Sequence, residues 1–339
     1  MKDVPLDWSK KSLEERILKA EAIYVLSPDL QEVKDTIQHC HHYSRYSREP
    51  KCLLITGRSG VGKTSLAEYY MLDYPRIETE EGLKVPILYL KIEVPATPKN
   101  LVSALLAALG DPMAEKGNIG SQTRRLRKFL KDLKTELIIL DEFQHFIDRD
   151  SLKVLKTISD WLKLLIDNAK IPVILMGMPY SRIILDTRGN EQLKRRFSLR
   201  RLIEPFGWGG AKDEQKDFRS FLKLVDEEMP FNKRANLDGQ TMAFRFYCAT
   251  NGVIYYVMDI LRVAAVSAIE QSYETLTLDL LADAYDESLA SAYPDRDNPF
   301  RCERNELNIL PFADWLPEFK NLKDLNDKED SAGDVLRGK

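Results

Sequence analysis

A glycine-rich loop of the form G-x-x-x-x-G-K-T lies between an apolar run at residues 52–56 and a helical pattern. Glycines let successive backbone N–H groups of such a loop point at phosphate oxygens, and the N-terminus of the following helix adds a partial positive charge. The pattern therefore predicts a site for the phosphates of a nucleotide. The predicted site comprises Gly57, Arg58, Ser59, Gly60, Val61, Gly62, Lys63, Thr64 and Ser65.

Two side chains at the end of this loop carry the expected chemistry. In this motif Lys63 reaches the β and γ phosphates, and the Thr64 hydroxyl is a ligand of Mg²⁺. The alternative is a glycine-rich turn that binds nothing. It is disfavoured because the strand, the complete motif and the helix occur together. We therefore predict a nucleotide bound with Mg²⁺.

An acidic pair, Asp141 and Glu142, ends the apolar run in "LIILDEFQHF". Beside a phosphate loop, Asp141 is expected to hold Mg²⁺ through its water shell. Glu142 is expected to orient or deprotonate the attacking water. The same pair could instead cap the N-terminus of a helix that begins there. Next to the phosphate loop, the pair favours hydrolysis over passive binding.

Apolar runs alternate with helical stretches through the middle of the chain. The runs occupy residues 52–56, 87–92, 137–141, 172–177 and 199–204. The four intervening segments have the 3.6-residue periodicity of helices. This alternation is typical of an α/β fold, in which a parallel five-stranded sheet is flanked by crossover helices.

The flanking segments are predominantly helical. Two helices are predicted within residues 12–46, and four more at residues 212–228, 238–249, 253–271 and 278–290. We expect an N-terminal helical extension (1–46), an α/β nucleotide-binding domain (47–207), a small all-helical lid domain (208–292) and a partly disordered tail (293–339). The tail carries Phe312, Trp315 and Phe319, which we expect to dock on the lid or on a partner.

Composition limits the classes of function. With a net charge of −3, the chain is not expected to coat DNA by bulk electrostatics. No apolar run approaches the ~20 residues of a membrane span, and the N-terminus lacks the apolar stretch of a signal peptide. We therefore expect a cytoplasmic protein without membrane contact. The four separated cysteines are expected to be reduced, and the cluster at residues 39–42 lacks the second Cys/His pair of a zinc site.

Motifs after the phosphate loop indicate which class of nucleotide-binding protein the chain resembles. The phosphate loop, the acidic strand, "IPVILMG", "NEQLKRRF" and the helical lid together resemble an AAA+ P-loop ATPase. More narrowly, "QLKRRF" after "GMP", "ATNGVI", "LTLDLLADAY" and "NPF" are similar to the TniB and TnsC ATPases, which regulate target choice in DNA transposition. The resemblance covers roughly residues 30–300. It implies a bacterial protein with ATP as the nucleotide.

The resemblance also implies a function. ATP bound between subunits would stabilise a homo-oligomeric ring or filament on double-stranded DNA, and hydrolysis would disassemble it. The assembly would recruit transposase subunits and a target-selection protein of the TniQ type. Three alternatives remain: a replication initiator or helicase loader, a nucleotide-dependent DNA scaffold with little hydrolysis, and an NTPase signalling switch without a DNA role.

In the family, an arginine reaches the γ-phosphate of a neighbouring subunit. It lies at the end of the helix before the fifth strand, which carries Arg195 and Arg196 in this chain. Arg196 is our first choice because it matches the family's "RF" pair, and Arg188 and Arg195 are second choices. The alternative is a solvated helix end whose cations complement the helix dipole. The next two arginines, at positions 200 and 201, are expected to form structural ion pairs or subunit contacts.

Two positions depart from the AAA+ pattern. Many members of the class end the fourth strand in a polar residue that senses the γ-phosphate, whereas this chain has "MGM" at residues 176–178. Many also begin the third lid helix with an arginine, for which Arg262 is the nearest candidate. Both departures suggest slow turnover.

Contacts to DNA are expected from two loops, "VPATPKN" and "GNIGSQTRR". The segment "GNIGSQTRRLRKFLKDLK" is amphipathic with a cationic face, a pattern that on its own is typical of a solvated helix. In TniB- and TnsC-like rings, however, segments between the second strand and the acidic strand line the pore. The resemblance thus implies non-specific phosphate contacts from Thr97, Lys99, Ser121, Gln122, Thr123, Arg124 and Arg125. Repetition around a ring would let an acidic protomer present a basic pore.

Overall fold

The computed structural model describes residues 7–47, 49–80, 82–147, 152–186, 190–209, 212–292 and 297–309. Within these ranges the chain divides into two compact units. One contains residues 30–204 and carries the sheet; the other joins residues 7–29 to residues 205–309 and is helical. The expected tail contacts of Phe312, Trp315 and Phe319 lie outside the described residues.

The sheet unit contains seven strands among the described residues. They are β1 (Leu53–Gly57), β2 (Ile77–Thr79), β3 (Gly82–Lys84), β4 (Ile87–Lys91), β5 (Leu137–Asp141), β6 (Val173–Gly177) and β7 (Leu199–Ile203). Five of them form one sheet in the order β4-β5-β6-β1-β7, with every neighbouring pair parallel. The predicted five-stranded parallel sheet is confirmed, and each strand lies within one or two residues of its predicted bounds.

Burial explains why β5 and β6 are continuous apolar runs. All residues of β5 and β6 are buried, because helices cover both faces of the sheet. A strand that is covered on both faces cannot alternate apolar with polar residues. Parallel neighbours also require crossover connections, which helices supply here. The carboxyl ends of β1, β4 and β5 consequently meet at one edge of the sheet.

The helices are α1 (Leu13–Glu21), α2 (Pro28–Tyr43), α3 (Lys63–Leu72), α4 (Pro98–Ala108), α5 (Ile119–Asp132), α6 (Leu152–Ala169), α7 (Ile183–Asp186), α8 (Glu191–Arg196), α9 (Lys212–Glu228), α10 (Gln240–Thr250), α11 (Ile254–Glu270) and α12 (Leu278–Ser288). Polar residues fix several starts: the Thr97 side chain accepts the Asn100 N–H at α4, and Asn118 accepts the Ser121 N–H at α5. Such caps satisfy N–H groups that have no partner within the helix.

A short antiparallel hairpin of β2 and β3 lies between α3 and β4. Each strand has three residues, and nearly all of them are exposed. The hairpin was not predicted from the sequence, because three-residue polar strands produce no apolar run.

The helical unit contains α1 and α9–α12. Its core combines aliphatic residues of α11 with an aromatic group around Trp208 and Phe218. The four helices predicted after residue 210 are confirmed. Ala20 and Ile23 are buried in this same core, so α1 belongs to the helical unit while α2 belongs to the sheet unit. The segment 1–46, which was predicted as an N-terminal helical extension, is therefore divided between the two units.

The hydropathy of the described helices bears on whether any of them could cross a membrane. No single helix among them is long and apolar enough to cross a bilayer. The pair α10 and α11 reaches that length together but is bent by 113° at the break between them.

Candidate nucleotide site

The phosphate loop connects β1 to α3 at the carboxyl edge of the sheet. Gly62 precedes α3 with φ of 95°, a left-handed conformation that residues with a side chain rarely adopt. Gly57 is required for a different reason: a Cβ there would lie 2.6 Å from the carbonyl oxygen of Ile203 on β7. Both glycines let the loop curl tightly against the sheet.

Lys63 lies at the first position of α3 and is only 9% exposed. Its Nζ donates hydrogen bonds to the carbonyl oxygens of Gly57 at 2.7 Å and of Arg58 at 2.8 Å. The ammonium group is thus held inside the loop that its own backbone forms. A buried cation lying among the N–H groups of a helix start can attract a phosphate anion strongly, because little water screens it.

Asp141 connects three elements at the end of β5. Its side chain is fully buried, and its Oδ2 accepts hydrogen bonds from the Thr64 hydroxyl at 2.6 Å and from the Tyr89 hydroxyl at 3.1 Å. Its Oδ1 accepts the backbone N–H of Glu142 at 2.8 Å. The parallel register places Lys91 of β4 beside Asp141, which brings Tyr89 within reach. Tyr89 carried no signal in the sequence, since an aromatic residue in a strand is usually a packing residue.

The Tyr89 hydroxyl is a permanent donor to this carboxylate. Burial, and after it the negative charge of Asp141, raises the pKa of Tyr89 well above its ordinary value. The phenol therefore stays protonated at any physiological pH. Thr64 and Asp141 present adjacent oxygen atoms, which is the donor type that Mg²⁺ prefers, so the residues here fit that ion.

Glu142 has φ of 58° and ψ of 38°, the left-handed conformation. It precedes a short 3₁₀ helix at Phe143–Phe146, and within the described chain no side-chain hydrogen bond caps that helix. The capping alternative for the acidic pair is therefore not supported. The Glu142 carboxylate instead accepts a hydrogen bond from Nε2 of Gln144. A half-buried carboxylate held beside the phosphate loop can accept a proton from water.

Gln144 is a residue of this site that the sequence did not indicate. It is 7% exposed, and its Oε1 accepts the backbone N–H of Met178, just after β6, at 3.2 Å. The glutamine therefore joins Glu142 to the end of β6. Many AAA+ proteins have a polar residue at that strand end, whereas this chain has "MGM".

The two arginines at the end of α8 have different surroundings. Arg196 is 13% exposed and forms an ion pair with Asp167 of α6. Arg195 is exposed and has no ion pair or side-chain hydrogen bond to any described residue. Arg188 lies outside the described residues. Arg196, our first choice for an arginine that reaches another subunit, is thus paired within its own chain, whereas Arg195, a second choice, is exposed. Which of the two acts between subunits stays a prediction.

The remaining predicted cations form local pairs. Arg200 lies 3.7 Å from Asp186, and Arg201 lies 3.3 Å from Glu32 on α2. Arg262 pairs loosely with Glu21, at 3.9 Å, inside the helical unit.

The predicted DNA-contacting residues divide into exposed and internal ones. Lys99 and Arg124 are exposed, and Thr97 is half-buried at the start of α4. Arg124 belongs to an exposed cationic face of α5, which also contains Arg127, Lys128 and Lys131. Ser121 and Thr123 are half-buried, and their hydroxyls donate to backbone carbonyls one turn earlier.

Gln122 and Arg125 have structural roles. Gln122 is fully buried, and its amide donates to Ser103 and to the Ala114 carbonyl, so it is not presented to DNA. Arg125 pairs with Asp111 at 3.0 Å and donates to the carbonyls of Lys116 and Met113. Its guanidinium is thus bonded to the loop before α5 and is not presented to a ligand.

Several solved structures have a fold similar to that of this chain. The ORC2 protein of Aeropyrum pernix, solved in ADPNP–ADP complexes, has 16% sequence identity to this chain and a TM-score of 0.57. The match covers 80% of this chain and 71% of that one. ORC1 of the same organism, in complex with DNA, has 19% identity, a TM-score of 0.55 and coverage of 80% and 69%. Cdc6p of Pyrobaculum aerophilum has 13% identity, a TM-score of 0.57 and coverage of 80% and 71%.

Sequence comparison identifies the family. No curated protein matches the chain. The sequence profile of the family described as "Bacterial TniB protein" matches residues 16–205, which is more than half of the chain and includes the phosphate loop, the acidic pair and α8. The chain therefore has the AAA+ ATPase fold and belongs to the TniB family.

Proposed function

We propose that this chain is an ATP-hydrolysing regulator of DNA transposition. It assembles with ATP as a homo-oligomeric ring or filament on double-stranded DNA and recruits transposase subunits and a target-selection protein of the TniQ type. Hydrolysis of ATP then disassembles the oligomer. The family membership and the geometry at the carboxyl end of β5 support this proposal together.

The observation that carries the proposal is the arrangement of Thr64, Asp141 and Glu142. Thr64 and Asp141 would hold Mg²⁺, which when bound neutralises charge on the β and γ phosphates. Lys63 binds those phosphates from inside the loop. Glu142, the next residue after Asp141, orients a water molecule and accepts its proton as the water attacks. A passive nucleotide scaffold would not need this last carboxylate.

Arg195 completes the site from a neighbouring subunit. It is an exposed guanidinium at the end of α8, free of ion pairs to described residues. An arginine that is not held within its own subunit can stabilise charge that develops on the γ-phosphate of the next one. Hydrolysis therefore depends on assembly.

DNA binding uses the exposed cations of α5 together with Lys99. Their contacts are to backbone phosphates and do not read sequence. Since the protomer has a net charge of −3, one copy is expected to bind weakly, and the oligomer multiplies the contacts. The solved structure of A. pernix ORC1 in complex with DNA shares this fold, which is compatible with this role and equally with a replication initiator.

Replacement of Glu142 by Gln tests the proposal. We expect the variant to bind ATP and assemble on duplex DNA like the wild type, while its turnover falls by at least about 100-fold, since a general base is worth roughly that factor. Disassembly, followed by light scattering after excess competitor DNA is added, should stall. Unchanged turnover would contradict the role of Glu142. Disassembly at the wild-type rate without turnover would favour the scaffold alternative.

A further inference from the structure

We propose that Gln144 is the positioning residue for the proposed catalytic base, and that it links Glu142 to the turn after β6. The inference rests on the proposed function, because it assigns a role within that same site. It accounts for the strand end at residues 176–178, which lacks the polar side chain that many AAA+ proteins place there.

The two hydrogen bonds of the Gln144 amide fix its orientation. Its Oε1 must face the Met178 N–H, which can only donate, at 3.2 Å. The Nε2 group then faces Oε2 of Glu142 and donates to it. The carboxylate is thereby left with Oε1 available to a water molecule. An amide in the reverse orientation would leave the Met178 N–H without this acceptor.

The surrounding backbone leaves Gln144 little freedom. Phe143 and Phe146 on either side of it are fully buried in the core, which fixes the 3₁₀ turn. A Cβ at Gly177 would lie 2.9 Å from Gln144 Oε1 and 2.5 Å from Ser181 Oγ. Glycine at the end of β6 therefore creates the space in which the amide reaches Met178. This close fit makes the link rigid.

Rigidity matters because the base must be held within about 0.5 Å of its working position. Glu142 lies in a left-handed conformation and its side chain is only half-buried, so packing alone does not fix its rotamer. The Gln144 amide restricts it. Removal of the amide should leave ATP binding intact, since the hydrogen bonds given for Lys63 and Thr64 run to Gly57, Arg58 and Asp141, and should slow the hydrolytic step.

Two substitutions separate the donor from the rest of the side chain. Gln144→Glu keeps an acceptor for the Met178 N–H but replaces the donor to Glu142 by a carboxylate. Gln144→Met keeps the length of the side chain and removes both bonds. We expect each variant to lower kcat about tenfold or more while KM for ATP stays within about twofold, measured with duplex DNA present. Ser181→Ala is the matched control: it changes the same turn and leaves the amide link in place, so its kcat should stay within about twofold.

A double-substitution cycle shows whether Gln144 acts through Glu142. Turnover is measured in single-turnover experiments, which resolve slow rates. In the Glu142→Gln background, Gln144→Met should have no further effect on the residual rate. An equal loss in both backgrounds, a change in KM with kcat unaltered, or a Ser181→Ala variant as slow as the two Gln144 variants would each overturn the inference.

The outcome also separates this inference from the proposed function. If both Gln144 variants turn over like the wild type while Glu142→Gln is inactive, the link to Gln144 has no role and the base assignment stands. If Glu142→Gln itself turns over like the wild type, the proposed function loses its base and the inference fails with it. Melting temperatures of all variants, read with and without ATP, identify any that fail to fold.

Discussion

The Thr64 hydroxyl donates a hydrogen bond of 2.6 Å to Oδ2 of Asp141 and so joins the phosphate loop to the end of β5. The two residues are far apart in sequence and meet because β1 and β5 both end at the carboxyl edge of one parallel sheet. The Tyr89 hydroxyl donates to the same oxygen atom. Three oxygen atoms thus converge beside the loop that holds Lys63.

This convergence predicts that Thr64 contributes to nucleotide affinity only through Mg²⁺. Thr64→Val keeps the shape of the side chain and removes the hydroxyl. We expect ATP affinity in the presence of Mg²⁺ to fall about tenfold, and affinity in EDTA to stay the same, in titrations with a fluorescent ATP analogue. Thr79→Val, in the exposed β2–β3 hairpin, is the control. A Thr64→Val protein with the wild-type response to Mg²⁺ would argue against this metal site.

The surroundings of the two α8 arginines predict unequal effects of their substitution on stability. Arg196→Ala removes a mostly buried side chain and its ion pair with half-exposed Asp167, so the free energy of unfolding should fall by about 1–3 kcal/mol. Arg195→Ala removes an exposed side chain and should change it by less than about 0.5 kcal/mol. Urea unfolding in the absence of nucleotide measures both. Equal destabilisation by the two changes would contradict the placement of these side chains.

Buried thiols predict a loss of stability at high pH. Burial raises the pKa of Cys40, Cys52 and Cys248 from about 9 to about 12. In the unfolded chain these thiols ionise near pH 9, whereas in the folded chain they keep their protons until about pH 12. Their contribution to stability is therefore complete below pH 9 and is lost as the pH rises from 9 to 12.

Alkylation checks the same thiols chemically. With iodoacetamide at pH 8, the native protein should react slowly at these three cysteines and faster at the partly exposed Cys302. Mass spectrometry of peptides after timed quenching gives the rates. Comparable rates at all four thiols would contradict their burial.

The exposed face of α5 predicts a specific pattern of DNA binding. Arg124→Ala should weaken binding to duplex DNA in the presence of ATP and reduce the salt dependence of the affinity, because a phosphate contact is lost. Gln122→Ala should leave that salt dependence unchanged and instead lower the free energy of unfolding by about 1–3 kcal/mol, since the Ala114 carbonyl and the half-buried Ser103 lose their hydrogen bonds. Fluorescence anisotropy at several salt concentrations distinguishes the two. An unchanged salt dependence in Arg124→Ala would remove α5 from the interface.

The sheet and the phosphate loop were predictable because each depends on a local pattern. Strands that are buried on both faces must be apolar runs. The loop needs glycine where φ is positive, at Gly62, and where another backbone approaches closely, at Gly57. The β2–β3 hairpin was missed because its three-residue strands are exposed on both faces and leave no such pattern.

The details of the site depended on contacts between distant segments. Gln144 resembles any polar residue after a strand until β6 places Met178 beside it. Gln122 was expected to contact DNA because the resemblance places its segment in the pore of a ring, and its burial follows from the partners that Ser103 and Ala114 provide. The choice between Arg195 and Arg196 likewise depended on the position of Asp167 on α6, which sequence spacing does not fix.

Mixing two inactive variants tests the central claim, hydrolysis at a site shared between subunits, most directly. Arg195→Ala retains Glu142 and Glu142→Gln retains Arg195, so a mixed oligomer contains interfaces with both groups intact. We predict that each protein alone loses at least about 100-fold in ATP turnover on duplex DNA, and that mixtures recover activity with a maximum near equal amounts. Mixtures that form joint oligomers but stay inactive at every ratio, or an Arg195→Ala protein with wild-type turnover, would contradict the account.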